Sequence, residues 1–237
     1  MDAHAGRGIY DLKLPEAQKL QEYVGGINQC WPPTNWPLLV GGLASYVQKL
    51  NRHAIPQMAH QPRYYPGSAA IIANILRPTD ILHAFELHKT ERAFLEQALA
   101  NQPNTHIHGV DSYLALQQWP IKPDVVFIDP SYEVKSEYDD LPQILANFWR
   151  KNKKSVVALW YPLLPANRHE ALLQTLQTMV PCTITEVISN PAPPAGLLGA
   201  GVALLNLPDN MRDAMQADIA SITPWLEHYL NVECEMF

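Results

Sequence analysis

The chain has 237 residues, 47% of them hydrophobic, enough to bury one large core but a squeeze for two full domains. A formal net charge of -6 and a pI near 5.8 exclude a protein that coats nucleic acid by wholesale phosphate neutralisation; any such partner must be held by a local basic surface. No apolar run reaches the roughly 18 residues of a membrane span, and no charged-then-apolar leader opens the chain, so a cytoplasmic protein is expected.

The chain opens with Asp2-Ala3-His4-Ala5-Gly6-Arg7-Gly8, whose glycines suit a tight turn that lets backbone approach a ligand. A dinucleotide fold would want GxGxxG running into a helix, but Gly8 is followed by Ile9-Tyr10-Asp11-Leu12 with no third glycine. From about Asp11 to Gln61 the composition shifts to Pro, Trp and Gly, with one helix-like segment near Leu38–Arg52, which reads as a helical insertion subdomain over residues 11–61. Residues 1–10 and 62–237 then form one α/β domain. Six short apolar runs predict strands: Ile81–Glu86, Thr105–Val110, Asp124–Asp129, Ser155–Trp160, Cys182–Ile188 and Gly201–Leu207. Helical spacing recurs between most of them, at Lys89–Ala100, Tyr113–Gln118, Asp139–Arg150 and Asn167–Met179. This βαβα order predicts a mostly parallel sheet with helices on both faces. The Pro- and Gly-rich Ser189–Ala200 is too irregular for a crossover helix, so the last two strands are expected to form an antiparallel closing hairpin.

Ligands of such sheets bind outside the carboxyl ends of the strands. Glu86, Asp111 and Asp129 sit at three predicted strand ends and Asp2 just before the glycine turn, so four carboxylates are expected at one edge. A helix N-cap explains Asp111 equally well. S-adenosylmethionine, which carries no phosphate, suits this edge better than a dinucleotide: Glu86 can accept both ribose hydroxyls, and Asp111 can accept from an adenine amine. The most specific segment is Val125-Val126-Phe127-Ile128-Asp129-Pro130-Ser131-Tyr132, an apolar strand delivering Asp, Pro and then an aromatic ring. The Asp129 carboxylate and Pro130 carbonyl could accept both hydrogens of an adenine amine, aiming its lone pair at a sulfonium methyl, while Tyr132 stacks on the base. A strand-ending turn with a surface Tyr is the plainer alternative. With an ordinary pKa of about 4, Asp129 would be too weak a base to deprotonate the amine first, so acceptance is its expected role.

Other polar clusters say less. Ser68, following Pro66-Gly67, is expected to N-cap a helix facing the cofactor. His83, His88, His106 and His108 are scattered over neighbouring strands without metal-ligand spacing, and Cys30, Cys182 and Cys234 form no CxxC pair, so no metal is expected. Arg63, Lys135 and the run Arg150, Lys151, Lys153, Lys154 are either a local RNA-binding surface or solvated helix ends.

Taken together, Asp2–Gly8, Arg63-Tyr64-Tyr65-Pro66-Gly67-Ser68, Phe85-Glu86-Leu87-His88, Asp129–Tyr132, Leu159-Trp160-Tyr161-Pro162 and Thr223-Pro224-Trp225-Leu226 resemble, in order and spacing, the bacterial 23S ribosomal RNA adenine-N6 methyltransferase RlmJ family. The resemblance implies a Rossmann-like methyltransferase fold with a helical insertion, S-adenosyl-L-methionine as cofactor and 23S ribosomal RNA as substrate. It implies cofactor contacts at His4, Ser68, Glu86, Asp111 and Ser112, beside those read above for Asp2 and Gly6, and a catalytic role for Asp129. Two departures stand out. Ser131 replaces the second Pro of the usual Asp-Pro-Pro-Tyr, loosening the loop without removing acceptors or ring. The chain also starts at Met1-Asp2, at the end of what the family uses as its first central strand, so the sheet is expected to lack that member. Two other readings compete: a protein linked to use of external DNA as nutrient, and a non-catalytic nucleic-acid or cofactor-binding module.

Overall fold

The computed structural model describes residues 1–52, 61–191, 193 and 196–236. They form two compact units: Ala5–Gly109 with His228–Leu230, and Met1–His4, Val110–Glu227 and Asn231–Phe237. Residues 53–60 of the expected insertion lie outside the described residues.

The Ala5–Gly109 unit contains, in chain order, β1 (Ile9–Asp11), α1 (Pro15–Leu20), α2 (Glu22–Gly25), α3 (Gly41–Asn51), β2 (Tyr64–Pro66), α4 (Ser68–Ile75), β3 (Leu82–Phe85), α5 (Lys89–Ala98) and β4 (Thr105–His108). β1 pairs antiparallel with β2, and β3 parallel with β4. The helix expected near Leu38–Arg52 is split: Leu38–Val40 is a 3₁₀ turn, and α3 begins only at Gly41. Asn51 then substitutes for backbone. Its amide donates to the Val47 and Tyr64 carbonyls and accepts from the Arg63 and Tyr64 amides, fastening the end of α3 to β2. Ala69, Ala70 and Ala73 of α4, Ala84 of β3 and Leu95 of α5 are buried together, the small side chains permitting close approach of helix to strand.

The other unit contains α6 (Ser112–Gln118), β5 (Val125–Ile128), α7 (Glu137–Lys151), β6 (Val156–Leu163), α8 (Arg168–Met179), β7 (Cys182–Ser189), β8 (Gly199–Leu205), α9 (Asp209–Leu230), which ends in the other unit's residues, and β9 (Val232–Met236). Its five-stranded sheet has the order β5-β6-β8-β7-β9. β5, β6 and β7 run the same way, whereas β8 and β9 oppose them. β7 and β8 form the expected antiparallel hairpin, but β8 sits between β6 and β7. Met1–Ala3 lies parallel beside β5: the Phe127 amide donates to Met1 and the Ala3 amide to Phe127, each at 2.9 Å. Its core is built from the buried α7 stripe Tyr138, Leu141, Pro142, Leu145 and Phe148, packed with Ile128, Leu159, Leu172, Leu176 and Leu205. The stripe's spacing is that of a helix with one apolar face, and each fully buried Leu contributes roughly 1.5–3 kcal/mol.

Tyr161 of β6 lies opposite Gly201 of β8, and a Cβ at Gly201 would collide with the Tyr161 ring. The missing side chain lets this fully buried ring cross β8, where its hydroxyl donates to Glu186 Oε1 of β7 at 2.7 Å. Gly201→Ala is therefore expected to displace the ring and lower stability by about 1–3 kcal/mol, an overpacking cost. Urea unfolding measures it as a lower midpoint; an unchanged midpoint would contradict the assignment.

Candidate active site

The glycine turn forms as its sequence requires. Gly6 and Gly8 have φ of 57° and 79°, values that favour glycine, and a Cβ on Gly8 would press on Leu95 and Ala98. The Ala5 amide donates to the Phe85 carbonyl, and the Gly6 amide to Glu86 Oε2 at 3.0 Å. Glu86 Oε1 accepts from the His88 amide at 2.7 Å. One amide per oxygen fixes the carboxylate and leaves each oxygen a second lone pair for a ligand hydroxyl. Beside it Glu86, Leu87, His88, Lys89 and Thr90 line an open cavity of about 550 Å³.

Ser68 departs from expectation. It is the first residue of α4, and Gly67, with no side-chain cap, holds the N-cap position. The reason is local: the Gly67 amide donates to the Gly8 carbonyl at 2.7 Å, and a Cβ at Gly67 would press on Tyr10 and that carbonyl. A side chain there would force these neighbours to give by a few tenths of an ångström; the helix starts one residue later, at Ser68, still tied to the glycine turn.

In the other unit, Asp2 is fully buried and its Oδ1 accepts the His4 amide at 3.3 Å. It shapes the turn from inside and is not an exposed edge carboxylate, because Met1–Ala3 is enclosed by its ladder with β5. The His4 ring sits edge-on to Tyr113 at 5.2 Å, with Nδ1 buried and without a hydrogen-bond partner. Burial drives its pKa down to about 4, against the pull of Asp111, so the imidazole is neutral. Asp111 is an N-cap: its Oδ1 accepts the Tyr113 and Leu114 amides at 2.8 and 3.3 Å, leaving Oδ2 for a ligand amine. Ser112, the first residue of α6, is buried.

Asp129 follows β5 directly. It is exposed as a residue, yet the protein around its carboxyl group pushes the pKa up to about 6 by desolvation, above the ordinary value expected from sequence. Pro130 is buried. Tyr132 corrects both expectations for it, the open stacking face and the surface ring. It is only 8% exposed and belongs to the core, packed on Tyr138 with ring centroids 4.6 Å apart. Its hydroxyl donates to the Trp160 carbonyl at 2.8 Å. The backbone explains the inversion: φ of 55° at Tyr132 turns the side chain inward, where an aromatic ring with a satisfied hydroxyl packs well.

Sequence reasoning missed Tyr113 and Glu137. The Tyr113 hydroxyl donates to Glu137 Oε1 at 3.2 Å, and Glu137 Oε2 is buried without a hydrogen-bond partner. Burial raises the Glu137 pKa, offset in part by the Tyr113 hydroxyl and the Tyr132 amide. The available signal was an acid in the first turn of a helix beginning just after Asp129–Tyr132.

Among the remaining polar groups, the His83 and His108 rings meet at 3.0 Å (Nδ1 to Nε2), and His83 also stacks on His106. Among the described residues no group of three His, Cys, Asp or Glu is placed to hold a metal, and no helix is long and apolar enough to cross a membrane. Arg63 is paired with Asp11 at 3.0 Å. Lys151 donates to the Gln117 carbonyl, and Lys153 lies 3.1 Å over the Trp149 ring. The basic run thus sits at the far end of α7, about 20 Å from the helix start beside the Asp129 loop at 1.5 Å per residue.

Known proteins resemble this chain along nearly its whole length. "Ribosomal RNA large subunit methyltransferase J" of Escherichia coli (strain K12) is 26% identical over 236 residues, covering 97% of this chain and 81% of that protein. The protein of the same name from Haemophilus influenzae is 25% identical over 232 residues, covering 95% and 81%. The crystal structure of a protein from Legionella pneumophila str. Philadelphia 1 superposes with a TM-score of 0.83 at 27% identity, covering all of this chain and 85% of that one. Residues 1–235 match the family described as "Ribosomal RNA large subunit methyltransferase D, RlmJ". The α/β architecture is thus that of a Rossmann-like, S-adenosylmethionine-dependent ribosomal RNA methyltransferase, and the chain belongs to the RlmJ family.

Proposed function

We propose that the chain methylates the exocyclic amine of an adenine in 23S ribosomal RNA, in the cytoplasm where that RNA is found, with Asp129, Pro130 and Tyr132 at the reacting centre. Asp2, His4, Gly6, Ser68, Glu86, Asp111 and Ser112 serve the cofactor, Asp2 by shaping the turn and the others by contact; residues 11–61 act as an inserted subdomain. The observation that carries this reading is Asp129-Pro130-Ser131-Tyr132 at the end of β5, its turn anchored by the buried Tyr132. When bound, S-adenosylmethionine supplies an electrophilic sulfonium methyl. The Asp129 carboxylate and Pro130 carbonyl accept the amine's two hydrogens, favouring a pyramidal nitrogen whose lone pair attacks the methyl carbon as the sulfur–carbon bond breaks. With its pKa near 6, Asp129 can then take the proton that the methylated nitrogen releases. In its packed position Tyr132 shapes the loop, and offering its face to the base means breaking its bond to Trp160.

The test follows labelled methyl transfer to a ribosomal RNA fragment, with nucleoside analysis of the product. N6-methyladenosine is expected; transfer to cytosine or to protein overturns the reading. Acceptance requires ionised Asp129, so the charged form dominates above its pKa and turnover falls by about tenfold per pH unit below about 6. Initial rates between about pH 5 and 8 measure this limb; a flat profile would remove the carboxylate from the reaction.

A further inference from the structure

Glu137 stands between two parts of one unit that methyl transfer must hold in register. On one side is Tyr113 in the first turn of α6, the turn that Asp111 caps and that includes Ser112. On the other is the loop from Asp129 to Tyr132, whose last residue keeps φ at 55°, uncommon for a non-glycine residue. Two groups hold that conformation: the Tyr132 ring packs on Tyr138, and its hydroxyl bonds the Trp160 carbonyl. The Tyr132 amide lies near enough to the Glu137 carboxylate to favour the ionised form. That amide does not meet hydrogen-bond geometry, so the buried Glu137 Oε2 has no partner while Oε1 is held by Tyr113. A buried carboxylate oxygen without a donor is costly and is seldom retained without a use. The first turn of α7 offsets part of that cost through the partial positive charge at a helix amino end.

We propose that Glu137 is a positioning residue for methyl transfer: it braces the catalytic loop against the first turn of α6, and its free oxygen receives the Tyr132 amide when the loop tightens on substrate. This rests on the adenine-methylation reading above. Glu137 touches neither reacting atom in this role. It acts through Tyr132 and Tyr113, and a misplacement of about 1 Å in such a brace can cost on the order of 10²-fold in rate.

The experiment compares wild type with Glu137→Gln, Glu137→Asp, Tyr113→Phe and the double variant Tyr113→Phe/Glu137→Gln. Turnover, RNA KM, S-adenosylhomocysteine affinity by calorimetry and the urea midpoint are measured on each. Glu137→Gln keeps the shape and an acceptor for Tyr113 but presents an amide donor toward the loop, and is expected to lower kcat by about 10- to 100-fold. KM and S-adenosylhomocysteine affinity should stay within about threefold, as expected when an interaction is made only in the transition state. Glu137→Asp, one methylene shorter, should recover part of kcat. The double variant should be little worse than Glu137→Gln, because the two residues form one brace. Near-normal kcat in Glu137→Gln, additive losses in the double variant, or a kcat loss that only follows the unfolded fraction would each overturn the inference. A wild type that fails to methylate adenine would instead refute the functional reading beneath it.

Discussion

Asp129→Asn is expected to reduce turnover by about 10²- to 10³-fold, the usual cost of removing one preorganised electrostatic contact to a reacting group. The substitution preserves size but replaces half of an acceptor-only carboxylate with an NH₂ donor, which confronts the amine's own hydrogens. It also deletes the group whose pKa is raised to about 6, so the acid limb of the rate profile should vanish with it. Folding should change little, because Asp129 is exposed at the end of its strand and no ion pair among the described residues uses it. S-adenosylhomocysteine affinity measured by calorimetry should match wild type. Full activity in this variant would place the chemistry elsewhere.

Tyr132→Ala should act on stability first. The ring belongs to the core and is 8% exposed, so truncation leaves a cavity and strands the Trp160 carbonyl. Losses of about 3–5 kcal/mol are usual for aromatic-to-Ala changes in cores, against a total stability of roughly 5–15 kcal/mol. Tyr132→Phe removes only the hydroxyl and should cost about 1 kcal/mol. The two variants separate the ring's packing from its hydrogen bond. Urea midpoints read the first, and turnover at temperatures where both variants stay folded reads the second. A Tyr132→Ala protein as stable as wild type would show that the ring is not the anchor described above.

Much of the fold was legible because its signals are local. All six predicted strands and the four helices between them occur, since apolar runs bounded by turn residues and helical spacing are short-range properties. The glycine turn and the Asp111 cap were equally readable, as both follow from backbone chemistry within a few residues. What escaped depends on distant partners. α9 carries Pro224 and buries none of its residues, so it shows no apolar stripe; the Thr223 hydroxyl bonds the Ile219 carbonyl within the helix, a contact invisible in composition. β9 needs β7 as a template. The inward turn of Tyr132 depends on one positive φ and a carbonyl 28 residues away. Glu137 matters only because α6 brings Tyr113 to it, and the raised pKa of Asp129 comes from surroundings no motif encodes.

The outermost strand of the five-stranded sheet bears on behaviour at high concentration. β9 pairs with β7 along one side only among the described strands, and Glu233 and Glu235 alternate along it opposite Ile188 and Glu186. An unpaired strand edge invites another chain to add to it. Here an arriving copy of the same strand would have to bring its own carboxylates up against these two, and like charges facing each other across a ladder oppose pairing. Strand β9 thereby discourages growth of the sheet from one molecule into the next, an effect that is strongest at low salt and weakens as ions screen the two glutamates.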